Sequence, residues 1–214
     1  MKPSAPLPQA RSERRQTLVT LAAQLFAEKG YQATTVREIA DAAGVLSGSL
    51  YHHFESKESI IDELLSEYLG GLISTYREIV SVHAGPRETL EGLVGVAIKS
   101  LQQHRAAITV LQNERHHLAQ LPRFTYVQDS ENEVQDLWVQ VITEGIKSGA
   151  FRSQLDPKVT YRLIRDAIWV AVRWFHPNGE LSVEELTEQY LTVLMEGMTE
   201  PNAALSPAGA LPES

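Results

Sequence analysis

Apolar residues recur at every third or fourth position along most of this chain, which is the spacing of one face of an α-helix. The first such segment carries them at Leu18, Leu21, Ala22, Leu25 and Phe26. Few segments alternate with the period of two that is typical of a half-buried strand. The pattern therefore predicts an all-α fold of about nine helices.

Glycines, prolines and capping residues divide this pattern into separate helices. The helix that holds Phe26 ends at Lys29-Gly30. The later segments predict helices over residues 36–43, about 47–54, 57–80, 86–103, 105–119, 122–147, 156–175 and 182–198. Proline-rich ends predict a disordered arm over residues 1–10 and a disordered tail over residues 201–214.

Two short helices follow a longer one within residues 11–56, and Gly44 separates the two. This order is typical of the three-helix form of the helix-turn-helix, whose second short helix enters the major groove of DNA. Apolar positions predict the core of the pair at Val36, Ile39, Ala40, Val45, Leu50 and Phe54. We therefore predict a DNA-binding domain over residues 11–56 and a ligand-binding and dimerisation domain over residues 57–200.

Outside its core positions the second short helix is polar, at Ser47, Gly48, Ser49, Tyr51, His52 and His53. Serine hydroxyls at a helix start can bind base edges or phosphates, and tyrosine and histidine can donate to phosphate oxygens. Lys57 and the free N–H groups of its helix start predict a phosphate clamp. Three arginines can follow the DNA backbone or its minor groove: Arg11, Arg14 and Arg15. The alternative is a small helical subdomain with a solvated face, but this row of side chains on so short a helix favours DNA binding.

The charge of the chain is unevenly distributed. The whole sequence has a formal net charge of −8, whereas residues 1–60 hold seven Lys/Arg and six Asp/Glu. The acidic excess therefore lies outside the predicted DNA-binding domain, which permits binding to a polyanion.

The absence of cysteine excludes disulfides, thiolate zinc sites and a cysteine nucleophile. No apolar run suits a membrane span or a signal peptide, so we predict a cytoplasmic protein that does not bind a membrane.

The segment 156–175 combines arginines and large aromatic residues with an apolar stripe. Spacing by four places one set on a common stripe of the predicted helix: Tyr161, Arg165, Trp169 and Arg173. A neighbouring stripe is apolar, which predicts that much of this helix is buried. Arginines on a buried helix are costly unless they are paired.

Two kinds of partner satisfy these arginines. One is a structural ion pair with an acid, for which the candidates are Asp166 of the partner subunit, Glu114 and Glu144. The other is an anionic ligand (a carboxylate, phosphate or pyrophosphate) held by Arg165 or Arg173. Trp169 then packs against an apolar or ring portion of that ligand.

Residues 104–128 add further candidates for an amphipathic anion with a bulky apolar part: Gln112, Arg115, Arg123, Phe124 and Tyr126. A metal is the other interpretation of this stretch, because Glu114, His116 and His117 are close in sequence. Adjacent helical residues point about 100° apart, however, and no zinc-binding spacing such as HExxH is present. We therefore predict no metal and no cofactor.

The stretch TTVREIADAAGVLSGSLYHHFESKESIIDELL resembles the DNA-binding segment of the TetR family of bacterial repressors. A threonine opener, an Ala-Gly turn, Leu-Tyr-x-x-Phe and Ser-Lys-Glu follow at the family's spacing. The resemblance implies a three-helix DNA-binding domain, a larger helical ligand domain and a two-fold dimer. By position it implies operator contacts from Thr35, Ser47, Gly48, Ser49, Tyr51, His52, His53 and Lys57. Leu46 departs from the family, which often has a polar residue there, and Ser47 is then expected to cap the helix.

The stretches VLSGSLYHHF, LPRFTYVQD and IRDAIWVAVRWFHPNG extend the resemblance over most of residues 12–200, toward TetR-type repressors of steroid-ring catabolism. Such a repressor controls late cholesterol degradation, that of the C and D rings. Its effector is a CoA thioester of the ring fragment, bound in a cleft near the dimer interface. The resemblance implies an effector of this class here, which strengthens the assignment of Arg165 and Trp169 to the ligand. The predicted ligand-binding residues are Arg165, Trp169, Arg173, Gln112, Arg115, Arg123, Phe124 and Tyr126.

The predicted function is a ligand-responsive repressor that binds double-stranded operator DNA as a homodimer and is released by this effector. Helices 156–175 and 182–198 are predicted to form the four-helix bundle of the dimer, with contacts on the last helix from Leu186, Tyr190, Val193, Leu194 and Gly197. One alternative is a TetR-type regulator of other lipophilic compounds. The other is an all-α enzyme acting on an acyl-CoA, for which Glu144 or His104 is the candidate base, although no G-x-S-x-G motif is present.

Overall fold

The computed structural model describes residues 8–82 and 84–199, which contain nine α-helices, one 3₁₀ turn and no strand. The helices are α1 (Pro8–Lys29), α2 (Val36–Ala42), α3 (Ser47–Leu50), α4 (Lys57–Ser81), α5 (Pro86–Gln103), α6 (Arg105–Leu118), α7 (Thr125–Ser148), α8 (Pro157–Trp174) and α9 (Val183–Met198). The 3₁₀ turn covers Pro122–Phe124 and precedes α7. The predicted all-α fold is confirmed.

Local sequence sets several helix ends. The hydroxyls of Thr35, Ser56 and Ser182 each accept a hydrogen bond from the N–H three residues later and complete capping boxes. Asp156 caps α8 in the same way, and Pro157 follows at its first position. Gly149 ends α7 with φ of 77°, a left-handed conformation that glycine adopts without steric strain.

Three boundaries differ from the predicted ones by more than one residue. Helix α3 ends at Leu50, because the N–H groups of His52 and His53 bond to carbonyls three residues back and make a tighter turn. The predicted helix 122–147 starts as a 3₁₀ turn and becomes α7 at Thr125. Helix α1 begins at Pro8, so the last three positions of the predicted arm are helical. The rest of that arm and the predicted tail lie outside the described residues.

One continuous apolar core extends from α1 to α9. The predicted core of the helix pair is confirmed, since Ile39, Ala40, Leu50 and Phe54 are buried and Val36 and Val45 are partly buried. Helix α4 packs against α1 as well as α5 and α7, and α6 packs against α1 as well as α8. Helices α4 and α6 therefore connect the N-terminal helices to the rest of the molecule. Among the described residues, no helix is long and apolar enough to cross a membrane.

Candidate functional site

The polar residues around α3 form an exposed face of the N-terminal domain. Leu50 is buried, whereas Gly48, Ser49, Tyr51 and His52 are exposed, and Tyr51 retains 56% of its accessible surface. The turn before α3 depends on Gly44, whose φ of 65° favours glycine. This arrangement leaves the polar face of α3 exposed, which is required of a helix that enters a DNA groove.

The start of α3 differs from the sequence prediction. Leu46 is the N-cap and makes no side-chain capping bond, and Ser47 is the first residue inside the helix. A residue inside the helix cannot be its N-cap, so the prediction that Ser47 caps α3 is wrong. Leu46 is 81% exposed, which places an apolar side chain at the edge of the polar face.

Thr35 and His53 both have intramolecular partners. The Thr35 hydroxyl accepts from the Glu38 N–H at 3.2 Å and donates to the Glu38 carboxylate at 3.0 Å. Hydrogen bonds from Lys29 and Thr35 lower the pKa of Glu38 to about 2. His53 is half-buried, and its carbonyl accepts a hydrogen bond from Arg15.

Arg15 connects α1 to the turn after α3 and to α4. Its guanidinium lies within 2.9 Å of the Glu63 carboxylate on α4 and 4.2 Å from the centroid of the Phe54 ring. Arg14 donates to the carbonyl of Ala43 at 3.4 Å. Both arginines, predicted to follow DNA, thus have partners within the protein.

Lys57 occupies a similar internal position. Its ammonium donates to the carbonyls of Tyr31 at 2.7 Å and Thr34 at 2.9 Å and lies 4.3 Å from the centroid of the Tyr31 ring. Two of its three donors therefore hold the α1–α2 loop against the start of α4. At the same helix start the Ser56 hydroxyl already accepts from the Ser59 N–H at 3.2 Å, so fewer backbone N–H groups are left for a phosphate than the sequence predicts.

A cavity lies between α4, α5, α6, α7 and α8. The space inside it that a water-sized sphere can occupy is about 70 Å³, below the roughly 300–1,000 Å³ of small-molecule sites, so a bulky ligand has to widen it. Its lining is largely apolar and includes five large aromatic residues: Tyr68, Tyr76, Trp138, Tyr161 and Trp169. This is the environment in which a bulky apolar group is bound.

Three of the predicted ligand-binding residues line this cavity: Arg115, Arg165 and Trp169. Gln112 does not line the cavity. Its side-chain amide donates to the carbonyl of Trp169 at 2.9 Å, which fixes α6 against α8. Arg173 is exposed and does not line the cavity, since α8 ends one residue later and this position faces solvent.

The predicted group Arg123, Phe124 and Tyr126 also lies outside the cavity lining. The 3₁₀ turn directs these residues toward α4, where the Tyr126 hydroxyl donates to the carbonyl of Asp62 at 3.2 Å. Arg123 lies 3.8 Å from the Asp62 carboxylate, and Phe124 is buried. Through Arg123 and Tyr126, this group therefore connects the start of α7 to the start of α4.

Charged groups are concentrated on one wall of the cavity. Arg115 of α6 forms an ion pair with Glu131 of α7. Arg165 pairs with Asp166 at 2.7 Å and lies 5.6 Å from the centroid of the Tyr161 ring. Of the two kinds of partner considered for Arg165, the structure contains an ion pair, but with Asp166 of the same chain and not with Glu114 or Glu144, which have other partners. Burial raises the pKa of Glu131, an effect that Arg115 and Arg165 oppose.

Sequence reasoning missed the walls contributed by α4, α5 and α7. Tyr68, Tyr76, Glu131 and Trp138 line the cavity, but an aromatic residue at helical spacing predicts an ordinary core position. Burial raises the pKa of Tyr68 to about 12. The sequence feature that could have indicated the α7 wall is Glu131, a carboxylate on the same helical face as Val134 and Trp138.

The candidate catalytic base residues are not part of the cavity. The His104 ring packs on Tyr68 with 5.2 Å between centroids, and exposed Glu144 accepts a hydrogen bond from Gln140. Glu114 accepts from the Tyr31 N–H at 3.0 Å. Among the described residues, no group of three or more His, Cys, Asp or Glu side chains is arranged to hold a metal.

Two family models match the chain. Residues 18–64 match the bacterial regulatory proteins of the TetR family, and residues 83–198 match the tetracyclin repressor-like C-terminal domain. The two segments correspond to the helix-turn-helix region and to the cavity-bearing domain. Together they cover the helix-turn-helix and the cavity walls that α5, α6, α7 and α8 contribute.

Relatives of known role are similar over nearly the whole chain. The chain is 46% identical to the HTH-type transcriptional repressor KstR2 of Rhodococcus jostii over 90% of its own length and 94% of the relative's. It is also 46% identical to KstR2 of Mycobacterium tuberculosis, over 88% of this chain and 94% of that one. The structure of that ketosteroid transcriptional regulator superposes with a TM-score of 0.85 over 88% of this chain and 96% of that chain. The chain belongs to the TetR family of bacterial regulatory proteins.

Proposed function

We propose that this protein is a ligand-responsive transcriptional repressor that binds operator DNA as a homodimer and is released by a CoA thioester of a steroid ring fragment. The observation that carries the proposal is the combination of an exposed polar recognition helix with an aromatic cavity that has arginines at its wall. Its relatives are named transcriptional repressors, and one is named a ketosteroid regulator. A protein with this function acts in the bacterial cytoplasm, where the operator is.

The DNA contacts in this proposal come from the exposed face of α3 and its flanks. Ser47, Gly48 and Ser49 lie at the start of the helix, where small side chains let the backbone approach base edges. Tyr51, His52 and His53 are assigned to phosphates, together with Thr35 and the N–H groups that begin at Lys57. Exposed Leu46 adds an apolar contact of the kind that recognises a thymine methyl group.

The effector in this proposal matches the two parts of the cavity. An alicyclic acyl group packs among Trp169, Trp138 and Tyr161. The transfer of its apolar surface from water into this cavity is favourable. The phosphates or thioester oxygen of a CoA lie toward Arg165 and Arg115, whose guanidinium groups suit phosphate geometry. A lipophilic compound without an anionic group contacts only the aromatic part of the cavity. Replacement of Arg165 should therefore weaken the binding of a CoA thioester but not that of an uncharged lipophilic compound.

The dimer in this proposal uses an apolar stripe that is exposed on α8. Val159, Leu163, Val170 and Trp174 recur at near-heptad spacing and are 51–69% exposed. Exposed Val193 provides apolar surface on α9. Leu186, predicted for this interface, is instead 8% exposed and packs in the protomer's own core. The predicted four-helix bundle therefore remains our proposal, with the stripe of α8 as its centre.

Release follows from a population shift. The two recognition helices of a dimer enter successive major grooves when they lie roughly 34–36 Å apart. Helix α6 contributes Arg115 to the cavity, while Glu114 on the same helix holds the Tyr31 N–H of the DNA-binding domain. An effector that binds better to a differently spaced dimer lowers operator affinity by its difference in binding free energy.

A gel shift with the DNA upstream of the protein's own gene tests this function. The complex is titrated with CoA thioesters of steroid C/D-ring acids, and free CoA serves as the control. Dissociation by the thioesters, without any product formed from them, supports the proposal. Turnover of the thioester, or a complex that no thioester dissociates, contradicts it.

A further inference from the structure

A buried polar atom in the cavity wall makes no hydrogen bond. Glu131 is half-buried on α7, and one of its carboxylate oxygens pairs with Arg115. The other oxygen, Oε1, is buried and has no partner in the described part of the chain. A buried acceptor without a hydrogen bond costs roughly 1–3 kcal/mol, so its presence calls for a physical reason.

The same face of α7 carries a second such atom. Trp138 follows Glu131 by seven residues, so both side chains lie on one side of the helix, and both line the cavity. The Trp138 Nε1–H is buried without a hydrogen bond, although its ring meets Tyr76 edge-on at 5.7 Å between centroids. The acceptor on this wall that is left for a ligand is therefore Glu131 Oε1.

The rest of this wall fixes Glu131 as an acceptor. Burial raises the pKa of Glu131, but Arg115 donates to its other oxygen, Oε2, and this ion pair orients the carboxylate and favours its charged form. An ionised carboxylate accepts hydrogen bonds and donates none. A hydrocarbon ring against this oxygen leaves it unsatisfied, whereas a hydroxyl group on the ring satisfies it.

We propose that Glu131 selects effectors that carry a hydroxyl group on the acyl ring. The hydroxyl donates to Glu131 Oε1, while the ring itself packs among the aromatic residues of the cavity. This inference rests on the proposed function and narrows its effector from an alicyclic acyl thioester to an oxygenated one. A site that hydrogen-bonds a hydroxyl rejects the analogue without it far more strongly than an apolar pocket rejects a missing methylene.

The test compares matched ligands on the full-length protein. The probes are CoA thioesters of hydrindane-propanoic acid, a fused six- and five-membered ring acid, without a hydroxyl and with one at each ring position in turn. Dissociation constants are measured by isothermal titration calorimetry. We expect at least one hydroxylated isomer to bind the wild-type protein at least tenfold more tightly than the unsubstituted thioester. No preference for any isomer overturns the proposal.

Two variants assign that preference to its residue. Glu131→Leu should bind the preferred isomer and the unsubstituted thioester equally. The control is Glu133→Leu, which removes another ion pair of α7, with Arg77, from outside the cavity lining and should keep the preference. Retention of the preference in Glu131→Leu overturns the proposal. If no thioester binds the wild-type protein at all, the proposed effector class itself is wrong, which separates the two failures.

Discussion

Arg165 lies in the cavity wall beside a partner that is easily replaced. Asp166 is adjacent in sequence, and its side chain is 62% exposed. An exposed pair of this kind contributes about 0–1 kcal/mol. Burial disfavours the charge of Arg165, but Asp166 and Tyr161 keep its pKa above the ordinary value, so the arginine remains a cation. An anionic ligand can therefore take the place of Asp166 at low cost.

Arg165→Met should remove the response to the effector and leave operator binding intact. A charge-assisted hydrogen bond contributes about 1.5–3 kcal/mol, so the thioester concentration for half-release should rise about 10- to 100-fold. Gel shifts at increasing thioester concentration measure this. Arg173→Met is the matched control, because Arg173 is on the same helix but outside the cavity, and it should behave as wild type. Unchanged release from Arg165→Met would make that arginine purely structural.

Tyr51 is the large exposed aromatic residue of the recognition face. Tyr51→Phe should weaken operator binding about 2- to 10-fold, because it removes one hydrogen bond to a phosphate and retains the ring. Fluorescence anisotropy with labelled operator measures the affinity, and thermal unfolding of the free protein should be unaffected. An operator affinity equal to that of wild type would exclude the phosphate contact.

At the scale of elements, α4 is the link between the two domains. Its first residue, Lys57, holds the α1–α2 loop through two carbonyls, and Arg15 joins α1 to Glu63 further along the same helix. Tyr126 and Arg123 connect the start of α7 to Asp62, which is also on α4. A shift of α4 therefore moves the DNA-binding helices with it.

Lys57→Met should destabilise the protein by about 1–3 kcal/mol, because two backbone carbonyls lose a charged donor. Urea unfolding measures the loss. Lys29→Met, which removes an exposed ion pair with Glu38, should cost less. If Lys57→Met leaves stability unchanged and instead reduces the salt dependence of operator binding, the lysine contacts a phosphate and its internal bonds are unimportant.

Helix positions were predictable because caps and breakers act locally, as at Thr35, Asp156 and Gly149. The cavity was only partly predictable, since Arg165 and Trp169 stand out on an apolar helix. Glu131 and Trp138 acquire their role from the packing of α7 against α4, α5 and α8, which no local pattern encodes. The same holds for Lys57, whose partners lie more than twenty residues away.

At the scale of the whole molecule, we propose a dimer whose interface is formed by the exposed apolar stripe of α8. Leu163 is 69% exposed in the protomer and lies in a row of exposed apolar residues, which is typical of a surface that binds a partner. Leu163→Lys should yield a folded monomer with weaker operator binding. Light scattering after size exclusion measures the mass, with Val82→Lys, an equally exposed apolar position off α8, as control. A dimer that persists in Leu163→Lys contradicts this interface.

The central claim is that the cavity and the recognition helices are thermodynamically linked. The most direct measurement is the operator dissociation constant with and without a saturating C/D-ring acyl-CoA thioester, together with the thioester dissociation constant with and without operator. Our account predicts that both affinities fall by the same factor, about tenfold or more, because coupling between two sites is reciprocal. An operator affinity that the saturating thioester leaves unchanged would contradict it.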